Sequence, residues 1–152
     1  MLDITLVAVG KIKEKSLAEL ADVYLKRLQP YAKLRLIELP AVPFSGANQT
    51  AAKEKEGAKI QECLNRQNGQ NIYLLAERGK TFSSPELAQW LEKQAPLILV
   101  VGGALGFSEE LYQKYPQISL SELTFPHEMA RLILLEQVYR ATTILNKKAY
   151  HY

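Results

Sequence analysis

The sequence is short of the residues that build metal centres and disulfide frameworks. One cysteine, Cys63, and two histidines, His127 and His151, occur in 152 residues. A lone cysteine makes no internal disulfide. It falls in ECLNR on a helical pattern, where a buried, inert thiol is expected. Cys63 lies far along the chain from both histidines, and neither zinc-ligand spacing nor Ser-His-Asp logic can be assembled, so no metal is expected. Long apolar runs are missing too. None approaches the ~18 residues that a membrane span needs. The opening MLDITLVAVGK lacks the basic stretch that precedes the apolar core of a secretory signal, so a cytoplasmic protein is expected. No repeat, low-complexity tract or Pro/Gly-rich linker divides the chain, which reads as a single domain over 1–152.

What is present is ordinary for a globular domain: 47% apolar and 23% charged residues. A chain of this length buries roughly 68–70% of the surface that its unfolded form exposes, enough for a core without staples. The net charge of +3 is unevenly placed. Residues 1–80 carry thirteen basic against nine acidic groups, and residues 81–152 carry six against seven. A basic first half suits a polyanionic partner without requiring one.

Strand and helix patterns alternate along the chain. Strands are expected at 4–10 (ITLVAVG), 34–40 (LRLIELP), 71–77 (NIYLLAE) and 97–103 (LILVVGG), and at 118–125 (ISLSELTF) as a short strand running into a loop. Helices are expected at 16–28 with Ser16 as N-cap, at 50–67 as a charged, exposed helix, at 85–94, at 108–115 capped by Ser108, and at 126–148. Residues 40–50 read as loop. For the third helix, Ser83 and Glu86 have capping-box spacing, while Ser84 before Pro85 is the alternative start. The alternation implies an α/β fold with a mostly parallel, buried sheet flanked by helices. In such sheets ligands bind beyond the carboxyl ends of the strands, where Gly102, Gly103, Gly106 and the segment after Leu75 fall.

Four stretches stand out. Gly79-Lys80-Thr81 looks like the tail of a phosphate-binding loop, but Leu74 occupies the position of that motif's first glycine. GGALG at 102–106 has the wrong glycine order and place for a dinucleotide fingerprint. Its bare backbone still suits close approach of a flat or bulky ligand, or simply a tight turn. The last helix is apolar nearly all round, which requires cover on two sides: the sheet and, most simply, a second subunit. Arg131 and Arg140 interrupt it, and Glu136–Arg140 has favourable i,i+4 order. A core helix with a surface ion pair and a dimer helix carrying an arginine toward a site both fit. The terminal NKKAYHY offers cations for phosphates and rings for unpaired bases, although a frayed tail has the same composition.

Together, LVAVGKIKE, YLKRL, LIELP, KEKEG, LLAERGKTFSSPELA, VVGGALGF, LSELTFPHEMARLILLEQVYRA and the final YH resemble the RlmH family of bacterial ribosomal RNA methyltransferases. That family lies within the SPOUT, or α/β-knotted, superfamily, and the likeness covers nearly the whole chain. It implies a homodimer, a deep C-terminal trefoil knot, and S-adenosyl-L-methionine as methyl donor. The family's cofactor positions fall on Leu75, Gly103, Leu120, Ser121, Glu122, Leu123, Thr124 and Phe125. One departure is Ala76, where the family usually has Asp; Glu77 follows it. The implied acceptor is N3 of a pseudouridine in the helix 69 loop of 23S rRNA, on the assembled ribosome.

Deprotonating such an N3–H, whose pKa is about 9–10, costs roughly 3–4 kcal/mol at neutral pH. A neighbouring cation lowers that cost, and Arg140 is the candidate for it. Tyr150 and His151 are candidates for base contact or proton acceptance, including across a dimer. His127 fits a structural and a functional role equally. The basic first half, with Lys147 and Lys148, is the expected ribosome-facing surface. A Rossmann-type oxidoreductase and a non-catalytic ribosome-associated factor are the alternatives.

Overall fold

The computed structural model describes residues 1–152. Five strands form one sheet: β1 (Leu2–Val9), β2 (Ala32–Leu39), β3 (Asn71–Lys80), β4 (Leu97–Val101) and β5 (Gln117–Ile118). Their order is β2-β1-β4-β3-β5, and every adjacent pair is parallel. Five helices connect and cover them: α1 (Lys15–Leu28), α2 (Gln49–Asn65), α3 (Ser84–Gln94), α4 (Glu109–Lys114) and α5 (His127–Leu145). None is long and apolar enough to cross a membrane.

The sheet is central because its inner strands are apolar on both faces. All five residues of β4 are buried. The two-residue strand period divides them cleanly. Ile4, Leu6 and Ala8 of β1, with Leu97, Leu99 and Val101 of β4, pack with α1, α3 and α5. Val7, Val9, Ile98 and Val100 face the other way, onto α2 and α4. Such two-sided burial is what a parallel sheet with crossover helices demands.

Local signals settle several element ends. Of the two starts for α3, the structure adopts the first: the Ser83 hydroxyl accepts from the Glu86 amide and the Glu86 carboxylate accepts from the Ser83 amide. Ser108 caps α4. Ser16 does not cap α1. The helix begins a residue earlier, at Lys15, and the two amides just before it are held from far along the chain. Glu128 Oε1, at the start of α5, accepts from the amides of Lys13 at 2.7 Å and Glu14 at 3.1 Å. These bonds, the one to Glu14 first, hold the Glu128 carboxyl below its ordinary range. Glu128→Ala is expected to cost about 1 kcal/mol in urea unfolding, the usual net contribution of an intramolecular hydrogen bond. Because the folded value is depressed, that contribution is present above the unfolded-chain value of about 4.3. It disappears as pH falls through the lower folded value, so the wild-type–variant gap should close in acid.

Other elements differ from expectation for clear reasons. α2 is not simply exposed: Ala52, Glu56, Ile60, Cys63 and Leu64 form a buried face, with the Cys63 thiol pushed up by burial. β5 has only two residues, Gln117–Ile118, before the chain turns irregular, so the short strand expected to run into a loop is shorter and starts one residue earlier. Beyond it, Ser119 and Ser121 bond locally to the backbone: Ser119 Oγ accepts from the Ser121 amide and Ser121 Oγ from the Leu123 amide. Serines that bond their own backbone withdraw a segment from a ladder. β3 instead extends to Lys80, and Gly79 lets it pass against β5. A Cβ at Gly79 would lie 2.5 Å from the Ile118 carbonyl carbon. That glycine serves strand contact rather than a phosphate loop. Finally, α1 and α3 both pack against α5, so much of its apolar circumference is covered within one chain. Arg131 is buried in that packing, donating to the Gly10 carbonyl at 3.2 Å and to Glu38 at 2.5 Å. It ties α5 to the ends of β1 and β2.

Candidate active site

The carboxyl ends of β3, β4 and β5 open on a cavity of about 730 Å³. That is within the roughly 300–1,000 Å³ usual for a small-molecule site. Its walls are β3 from Leu75 to Glu77, where its pairing with β4 ends, the turn 102–106 after β4, the irregular segment after β5, and the start of α5 with His127 and Ala130. The fold brings Leu75, Gly103, Leu120, Ser121, Leu123, Thr124 and Phe125 together around it. Glu122 is exposed and does not line it.

The glycine turn is pinned from behind. Gly106 donates to the Gly103 carbonyl at 3.1 Å. A Cβ at Gly103 would stand 2.8 Å from Glu56 Oε1 and 3.2 Å from a Val9 methyl. Glu56 is 5% exposed, and its Oε2 accepts from the Val42 amide at 3.0 Å while Oε1 has no partner. The carboxylate therefore fits beneath the turn only because position 103 is bare. Sequence reasoning missed this residue: within KEKEG nothing separates Glu56 from Glu54. At the tip of the turn the amides of Ala104 and Leu105 have no acceptor within the chain and remain available to a ligand.

No lysine or arginine lines the cavity, and Glu77 is its one carboxylate. Sites for phosphate groups ordinarily supply guanidinium, ammonium or clustered amides. Leucines, Phe125, hydroxyls and one negative group instead suit a flat, partly apolar ligand that is neutral or positively charged. Glu77 stands beside Ala76, the position at which an acidic residue was expected.

Arg140, Tyr150 and His151 lie elsewhere and gather around Glu136 of α5. Glu136 Oε1 accepts from Arg140 Nε at 3.1 Å, from Arg140 Nη2 at 2.6 Å and from the Tyr150 hydroxyl at 3.1 Å. Arg140 Nη1 is 3.2 Å from His151 Nδ1. The Tyr150 ring meets Tyr139 edge-on at 4.9 Å, and its hydroxyl is 3.4 Å from that of Tyr24. The C-terminal tail is thus held rather than frayed. Burial, the Tyr24 hydroxyl and the Glu136 carboxylate raise the Tyr150 pKa far above the ordinary phenol value. Tyr150 therefore stays protonated at neutral pH, where it donates hydrogen bonds and takes up no proton. The Glu136 hydrogen bonds raise the Arg140 value further still, so that group is always a cation. None of the three lines the cavity of its own chain.

A family model described as "Predicted SPOUT methyltransferase" matches residues 2–151. The chain belongs to the SPOUT methyltransferase family. Full-length SPOUT relatives agree. The ribosomal RNA large subunit methyltransferase H of Kosmotoga olearia is 40% identical over 157 residues, covering 99% of this chain and all of its own. Proteins of the same name from Pelotomaculum thermopropionicum and Enterococcus faecalis are 42% and 39% identical, each over at least 99% of both chains. Among solved structures, TrmJ from Z. mobilis ZM4 matches with a TM-score of 0.55 and 13% identity, over 93% of this chain and 70% of that one. The last likeness establishes the fold alone. No cluster of three His, Cys, Asp or Glu side chains that could hold a metal occurs in this SPOUT chain.

Proposed function

We propose that this chain is an S-adenosyl-L-methionine-dependent ribosomal RNA methyltransferase acting in the cytoplasm. Its proposed target is N3 of a pseudouridine in the helix 69 loop of 23S rRNA, on the assembled ribosome. The observation that carries the reading is a strand-end cavity without lysine or arginine, in a chain about 40% identical, end to end, to relatives named for rRNA methylation. The bound donor supplies an electrophilic methyl on a cationic sulfonium. Leu75, Leu120, Leu123 and Phe125 would enclose its apolar parts and exclude water, the free amides of Ala104 and Leu105 would offer donors, and Glu77 a countercharge. Gly103 keeps the wall thin. Ser121 and Thr124 add hydroxyls, while Glu122 flanks the segment from outside.

The acceptor side is assigned to the Glu136-centred cluster. Arg140 stabilises the N3 anion electrostatically, Tyr150 donates a hydrogen bond to the base, and His151 is the candidate proton acceptor. Because this cluster does not line its own chain's cavity, the reading needs a homodimer in which one subunit's tail completes the partner's cavity. A knot that threads the chain through the segment around 119–126 is part of the same proposal. Holding both reactants in place would then supply much of the acceleration.

The test is transfer of labelled methyl from S-adenosylmethionine to purified ribosomes. Incorporation into one 23S rRNA pseudouridine, with free rRNA a poor substrate, is expected. Absence of label from every rRNA would overturn the assignment.

A further inference from the structure

Six arginines occur in the sequence, and five of them are neutralised in the fold: Arg35 by Asp3, Arg66 by Glu62, Arg78 by Glu109, Arg131 by Glu38 and Arg140 by Glu136. Arg27, in the last turn of α1, is the exception. No carboxylate lies within ion-pairing distance and its guanidinium makes no hydrogen bond, yet it is not adrift. Its guanidinium carbon lies 5.4 Å from the centroid of Tyr24 and 5.7 Å from that of Tyr139. Those rings continue the aromatic cluster: Tyr139 meets Tyr150, and Arg140 lies 4.9 Å from the Tyr150 centroid. A run of three tyrosine rings, Tyr24, Tyr139 and Tyr150, therefore connects Arg27 at one end with Arg140 and His151 at the other.

Favouring the negative end of the α1 dipole is the simplest role for a cation here, but the exposed Lys26 beside it already fills that role. The dipole does not explain a guanidinium held over two rings with its donor edge unused. Cation–π contact with two rings restricts an arginine and lowers the entropy lost when its fork grips a planar anionic group. A phosphodiester is such a group.

We propose that Arg27 binds a backbone phosphate of the acceptor RNA, next to the base engaged by Tyr150, His151 and Arg140. The proposal rests on the methyltransferase reading above. Phosphate contacts fix register while base contacts specify, so Arg27 is a positioning contact and takes no part in methyl transfer.

The experiment compares the full-length wild type with Arg27→Ala and Arg27→Lys. It measures ribosome binding over a salt series, kcat and KM for methyl transfer, the dissociation constant of S-adenosylmethionine by calorimetry, and molar mass by light scattering. For Arg27→Ala, KM for ribosomes should rise roughly tenfold and the slope of log affinity against log salt should fall by about 1. Its kcat, donor affinity and molar mass should change by less than twofold, and lysine should restore part of the binding. An unchanged KM and slope would overturn the proposal. So would a changed molar mass or lost donor binding, which would make Arg27 a structural or subunit contact. If the wild type binds ribosomes but methylates none, the methyltransferase reading fails by itself, and the salt slope still decides whether Arg27 grips phosphate.

Discussion

Gly103→Val is expected to abolish S-adenosylmethionine binding while leaving a folded protein. A Cβ at this position would stand 2.8 Å from Glu56 Oε1 and 3.2 Å from Val9, and both neighbours are buried. Glu56 has little freedom to retreat because its other oxygen holds the Val42 amide. The turn itself must shift, and the turn is a wall of the cavity. A displacement of about 1 Å in a binding wall costs on the order of 100-fold in function. Calorimetry should show at least that loss of donor affinity, and circular dichroism should still report a cooperative melt. Gly103→Ala should be intermediate, and Glu56→Ala in that background should recover part of the lost affinity. An isotherm for Gly103→Val matching the wild type would mean that the donor does not lie against this turn.

The second large effect is on rate. Arg140→Ala should lower kcat for methyl transfer by about 10²–10³-fold, the usual consequence of removing one group that stabilises a developing anion. Donor affinity should change little, since the reading places Arg140 on the acceptor side rather than among the residues that enclose the donor. The substitution also frees Glu136, whose Oε1 holds Arg140 and the Tyr150 hydroxyl together. Arg140→Lys separates the two effects: it keeps the charge but loses the two-pronged grip, and should recover only part of kcat. Raising pH should rescue Arg140→Ala in part, because the N3–H ionises by itself near pH 9–10, about its ordinary value. A variant with wild-type kcat would place anion stabilisation elsewhere.

Much of the architecture was legible in the residues. β1 and β4 are apolar on both faces, which only a covered central strand tolerates. The Ser108 cap of α4 was readable to the residue, and the start of α3 to a choice between Ser83 and Ser84 that the capping box decides for Ser83. The start of α1 was not, because its partner, Glu128, is more than a hundred residues away and no local pattern announces it. The buried face of α2 was hidden for a different reason: Ala52, Glu56 and Gly57 carry no hydrophobic signal, so the charged residues dominated the pattern. Where β5 gives way to the loop was not legible, because alternation continues through ISLSELTF while its serines bond to nearby backbone from Ser119 onward.

The site was legible unequally. Gly103 and the segment 120–125 are set out by their resemblance to a family, and the cavity unites all of them except Glu122. The separation of Arg140, Tyr150 and His151 from that cavity is a property of packing that spacing along α5 does not encode. Nor does a sequence show that Tyr150 is buried against Glu136 and Tyr24, which keeps its proton in place. Arg27 was one basic residue among thirteen in the first half. Only the fold distinguishes it, by pairing every other arginine.

The most direct measurement is a calorimetric titration of the wild-type chain with S-adenosylmethionine, run beside adenosine triphosphate. A cavity with one carboxylate and no lysine or arginine should give a saturable isotherm with the sulfonium nucleoside, at no more than one per chain, and no heat with the triphosphate. No heat with S-adenosylmethionine, or tighter binding of the triphosphate, would contradict the assignment of this cavity to a methyl donor.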